Sequence, residues 1–131
     1  MKATLLSYNL PEDHLRHLRF LCLRMGIVLR PVPPEEWGLP LSVLAGLTED
    51  EGERPGPEGT VPGTMLVMCG FSGSMVNSLL SAMRQARLPA VALKAILTPS
   101  NAAWSSTFLH AQLLEEHQAL QQGRTPAHEQ Q

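Results

Sequence analysis

The sequence predicts an α/β domain of about four mainly parallel strands, arranged as two related βαβα halves joined by an acidic Pro/Gly-rich loop. Three observations carry this. Met65 to Met68 is a short apolar run closed by Cys69-Gly70-Phe71-Ser72-Gly73, the pattern of a strand buried on both faces. A second apolar run, Ala90 to Leu97, follows a stretch in which Val76, Leu79, Leu80 and Met83 recur at helical spacing. Strand, helix and strand of these lengths make a βαβ unit, with parallel strands and a right-handed crossover. The start of the chain repeats the order: Leu5 to Leu10 lies over Leu66 to Phe71, and Leu15 and Leu18 over Val76 and Leu79.

Taken in order, Ala3 to Tyr8 reads as the first strand. Asn9-Leu10-Pro11-Glu12-Asp13 turns into a helix, with Pro11 suited to its first position and acids in its first turn. Leu15, Leu18, Leu21, Cys22 and Met25 form its apolar face, and Gly26 is placed to end it in a left-handed conformation. Ile27 to Val32 is the second strand, closed by Pro33 and Pro34. Trp37 follows, and Leu41 to Leu47 suits a short helix. Thr48 to Gly63 holds five acids with prolines and glycines, too little apolar area to offset its ordering entropy. It reads as a flexible loop. After the second βαβ unit, Ser105 or Ser106 caps a last helix with Phe108, Leu109, Leu113, Leu114 and Leu120 at its apolar positions. The expected organisation is one domain over residues 1–122, with halves 1–47 and 64–122, a loop at 48–63 and a disordered tail at 123–131. In the halves, Pro34-Glu35-Glu36-Trp37 lies over Asn101-Ala102-Ala103-Trp104 once a few inserted residues are allowed.

The chain has 131 residues and a formal net charge of -2, so no overall field points to nucleic acid or a membrane surface. No apolar run approaches the ~20 residues of a membrane helix, and Ala3 to Leu6 is too short for a signal-peptide core. A cytoplasmic location is the expectation. The two cysteines, Cys22 and Cys69, make no disulfide framework and no metal spacing.

Cys69-Gly70-Phe71-Ser72, Leu93-Lys94-Ala95-Ile96-Leu97-Thr98-Pro99-Ser100-Asn101 and Trp104 together resemble a bacterial family of small proteins, domain-of-unknown-function family 3783. Leu6, Tyr8, Asn9, Gly26, Pro40-Leu41 and Leu44-Ala45-Gly46 are similar to the leading part of such proteins. The resemblance implies an α/β domain and lends no chemistry. Cys69-Gly70-Phe71-Ser72 is also similar to the active-site tetrapeptide of monothiol glutaredoxins, in which the cysteine sits between a strand and a helix N-terminus. There the dipole lowers the thiol pKa. That fold needs a cis-proline loop, a hairpin and a closing helix downstream, and after Thr98-Pro99 this sequence offers little but one helix. A strand-end cysteine packed as a small hydrophobe is the competing reading.

The other candidates have structural alternatives of the same kind. Gly70, Gly73, Ser72 and Ser74 suit a phosphate cradle or simple helix capping, and match neither the dinucleotide fingerprint nor the P-loop. Lys94 suits an anion ligand or a sheet-edge lysine. Thr98-Pro99 reads as a cap and first helical residue, with Asn101 bonding to nearby backbone. Trp104 suits an anchor for the last helix or a stacking platform. His110 and His117, one heptad apart, share no spacing with acids or cysteines. The function expected is a non-catalytic binding or regulatory domain with no cofactor and no catalytic residue. Its ligand-binding residues are Gly70, Phe71, Ser72, Ser74, Lys94, Thr98, Asn101 and Trp104, and the ligand is small and anionic or polar. A redox protein or enzyme using Cys69 is the alternative. A protein partner, one meeting the acidic loop, and a homodimer remain open.

Overall fold

The computed structural model describes residues 2–49 and 59–123. It contains β1 (Thr4–Tyr8), α1 (Glu12–Met25), β2 (Val28–Pro31), a 3-10 turn (Pro34–Glu36) and α2 (Leu41–Leu44). After these come β3 (Met65–Cys69), α3 (Gly73–Gln85), β4 (Lys94–Ile96) and α4 (Ser106–Gln121). The strands form one sheet in the order β2-β1-β3-β4. β1 pairs with β2 and β3 with β4 in parallel, while the central pair, β1 with β3, is antiparallel. The sheet is therefore mixed: two parallel wings meet at an antiparallel seam.

Both central strands are buried throughout, as their continuous apolar runs require. Alternation along them divides the core between the two faces. Leu5, Leu66 and Met68 pack with Leu18 and Cys22 of α1 and Leu79 and Met83 of α3. Leu6, Tyr8, Met65, Val67 and Cys69 pack on the other face with Trp37, Leu41, Leu44 and Leu109. The domain thus has three layers, with α1 and α3 on one side and α2 and α4 on the other.

From the first strand of each βαβ unit to the end of its helix, backbone features recur at a separation of 61 positions. Asn9 and Gly70, which leave β1 and β3, have φ of 60° and 74°. Gly26 and Arg87, which follow α1 and α3, have φ of 71° and 59°. The amide of Ile27 reaches the Cys22 carbonyl and the amide of Leu88 reaches the Met83 carbonyl, again 61 apart. Leu6 lies opposite Val67, its counterpart at this separation, so the local two-fold runs through that pair. The crossovers differ in length. Thr4 pairs with Val28 and Leu66 with Lys94, so the second crossover is four residues longer.

Several expectations are corrected. The second apolar run forms a strand only over Lys94–Ile96, because Pro89 removes a ladder donor and the preceding residues wrap the end of α3. Thr98-Pro99 starts consecutive turns and no helix: the Asn101 amide bonds the Thr98 carbonyl and the Trp104 amide bonds the Asn101 carbonyl. The last helix is capped by Ser105, whose hydroxyl accepts from the Phe108 amide, while Ser106 is buried inside it. The far end of the acidic segment is anchored at one residue between exposed neighbours. Val61 is buried in the core, and the Asn9 side-chain amide donates to the carbonyls of Val61 and Gly63. Most of the acidic run, and the tail beyond Gly123, lie outside the described residues.

Candidate functional site

The expected site lies where β3 and β4 end. Met68 pairs with Ile96, and the Leu97 amide continues the ladder to the Met68 carbonyl, so Gly70–Ser74 and Thr98–Asn101 leave the same sheet edge. Gly70, Ser72, Gly73, Ser74, Thr98, Pro99 and Ser100 are exposed there. Gly70 adopts a left-handed conformation that lets the chain turn from β3 into α3.

The polar side chains of this rim are engaged locally. The Ser72 hydroxyl accepts from the Met75 amide at 3.2 Å, capping α3, and lies 3.1 Å from the Ser74 hydroxyl. Asn101 is buried. Its Oδ1 accepts from the Thr98 amide at 2.9 Å, and its Nδ2 donates to the Ile96 carbonyl at 3.1 Å. The Asn101 amide also reaches Thr98 Oγ1 at 3.3 Å. Asn101 is the clamp of the turn after β4.

The side chains of three predicted residues do not gather in one place. Phe71 packs on the side of α1 and α3, whereas Trp104 packs on the side of α4, so the sheet separates them. Trp104 stacks obliquely on Phe108, with ring centroids 4.8 Å apart at 54°. Its carbonyl accepts from the Leu41 amide, while the Trp37 carbonyl accepts from the Ser106 amide, so the two tryptophan segments bond each other's neighbours. Lys94 opens the edge strand β4, at the end away from the rim, and its Nζ donates to the Val91 carbonyl.

Cys69 is the last residue of β3, fully buried, and its thiol faces the Val67 carbonyl at 3.9 Å. Burial pushes the thiol up to about 12, opposite to the shift that activates a nucleophilic cysteine. Cys22 is pushed up to about 11, again chiefly by burial. Among the described residues no group of three or more His, Cys, Asp or Glu could hold a metal ion.

Sequence reasoning missed a cavity of about 140 Å³ at the opposite edge of the sheet, between α1 and the segment after α3. Leu10, Pro11, His14 and Leu18 form one wall, Leu88 to Val91 the other, with Thr64 and Met83 between.

The elements define a small three-layer α/β/α domain with a mixed four-stranded sheet. Residues 64–120, from β3 almost to the end of α4, match the model of the family described as Domain of unknown function (DUF3783). No curated protein and no solved structure matches the chain. Among the described residues, no helix is long and apolar enough to cross a membrane.

Proposed function

We propose that the chain is a non-catalytic binding or regulatory domain, and that its ligand-facing surface is the rim formed by Gly70–Ser74 and Thr98–Asn101. The parallel pairing of β3 with β4 carries the reading. It collects two exposed loops and the start of α3 at one edge, where first-turn amides and the helix dipole favour a small anionic or polar group. Asn101 acts by holding the second loop in shape. The matching backbone of the two units supports a second part of the reading, that the halves arose from one βαβ unit used twice. Burial of Cys69 weighs against the thiol-dependent alternative.

Thermal-shift screening of the whole chain with nucleotides, phosphosugars and carboxylates tests the rim. A hit there should be lost in Ser74→Glu, which places a competing carboxylate in the first turn while suiting the helix dipole. Stabilisation that survives this substitution, or no stabilisation by any anion, would refute the rim as a binding surface.

A further inference from the structure

The cavity on the far edge of the sheet is independent of the rim. We propose that it binds a small uncharged ligand of one aromatic ring bearing a single hydrogen-bonding group, of the phenol class.

Its size sets the first limit. At about 140 Å³ it is close to the ~150 Å³ of an engineered apolar cavity that accepts benzene. Its walls set the second. Leu10, Leu18, Met83, Pro89 and Val91 offer only apolar surface, which favours a ring and penalises a buried charge. His14 and Thr64 are the polar side chains on the lining, and each can donate or accept one hydrogen bond. The His14 imidazole is half-buried, and its Nε2 lies 3.9 Å from Asp13 Oδ2, so an exposed acid stands beside one of the two polar lining groups. That carboxylate disfavours an anionic ligand.

The two units explain why the space is open on this side. At the separation of 61 positions, Leu10 corresponds to Phe71 and His14 to Met75. In the second unit Phe71 and Met75 pack against the core with their own side chains. In the first, the smaller Leu10, which packs on the same core, and the polar-edged His14 stand at those places, and the longer crossover at Leu88–Val91 supplies a facing wall. Ligand ring and hydroxyl would then replace the bulk of a phenylalanine and meet a histidine.

Titration of the whole chain with phenol, benzene and benzoate, followed by amide NMR, tests the proposal. Phenol should give saturable shifts confined to residues around His14, Thr64 and Ala90. Benzene should bind more weakly by roughly the tenfold that one neutral hydrogen bond carries, and benzoate should not compete. Leu10→Phe, which restores the bulk of the other unit, should abolish binding while the melting temperature holds or rises. Should that variant unfold, Ala90→Phe on the exposed opposite wall carries the same test. Absence of saturable shifts, shifts elsewhere, benzoate binding as well as phenol, or undiminished binding in a folded plugged variant would overturn it.

Discussion

The Tyr8 hydroxyl lies 2.6 Å from the Ser106 hydroxyl, with both residues fully buried and 98 positions apart. This contact fastens the central strand of the first unit to the first residue of α4. Tyr8→Phe leaves the serine hydroxyl buried without its partner, and Ser106→Ala does the same to the phenol. Each should cost about 1–3 kcal/mol in urea denaturation, and the double variant less than the two together. Strict additivity would show that the pair is not coupled.

His110 also sits in this region of α4. Its Nε2 is buried with no hydrogen-bond partner among the described residues, and burial lowers its pKa below the ordinary 6.5. A lowered histidine is held neutral by the fold. The stability this confers is present above pH 6.5 and is lost as pH falls, because the unfolded chain takes up the proton first. His110→Leu should flatten the acid limb of a melting-temperature profile and leave neutral stability equal or higher. An unchanged acid limb would show that another group governs it.

Arg87 holds φ of 59° where its counterpart Gly26 holds 71°. A side chain in the left-handed region costs about 1 kcal/mol that glycine avoids. Arg87→Gly should raise stability by up to roughly that amount, and Gly26→Ala should lower it by a similar amount. Opposite signs in chemical denaturation would overturn this account of the two helix ends.

Buried thiols set the alkaline limit. Cys22 and Cys69 are raised from 9.0 to about 11 and about 12, and burial likewise raises Tyr8 above 10.0. A raised acid is held protonated by the fold. Its contribution is complete below the unfolded pKa and declines as pH climbs toward the folded one. The melting temperature should therefore fall once pH exceeds 9, the value from which the thiols are shifted. At neutral pH iodoacetamide should label both cysteines only as fast as the chain unfolds. Rapid labelling of the native chain at Cys69 would restore the redox reading.

Asn101→Ala removes the acceptor for the Thr98 amide and the donor to the Ile96 carbonyl. It should cost about 1–3 kcal/mol and speed hydrogen exchange at Thr98. Asn101→Asp keeps the acceptor and should leave Thr98 better protected than the alanine variant does. Equal exchange in all three proteins would remove Asn101 as the clamp.

How much was legible depended on the range over which the cause acts. β3 and α3 follow from apolar spacing within a few residues, which left the cap of α3 to Ser72 or Ser74; the structure assigns it to Ser72. The same edge for Gly70 and Thr98 followed from a local crossover. The face did not: Phe71 and Trp104 leave one edge, but which side each packs on depends on how the following segment returns to the sheet. Thr98-Pro99 suited a helix start as well as a turn, and Asn101 reaching back to the Thr98 amide decided for the turn. The antiparallel seam joins strands about 60 positions apart through backbone bonds that leave no local signature. Without that seam, the wall formed by Leu88–Val91 against α1 could not be anticipated.

The seam also says what β1 does for the rest of the chain. It pairs along the whole length of Met65–Cys69 and supplies the partner for that strand's inner side. A polypeptide holding only the family segment, 64–120, would carry β3 as a bare edge, with a row of unpaired amides and carbonyls. Because the local two-fold passes through Leu6 and Val67, a second copy of that segment could fill the gap by pairing β3 with itself about Val67. The present chain supplies that partner from within one polypeptide. Its β1 makes strand pairing at the centre of the sheet independent of protein concentration.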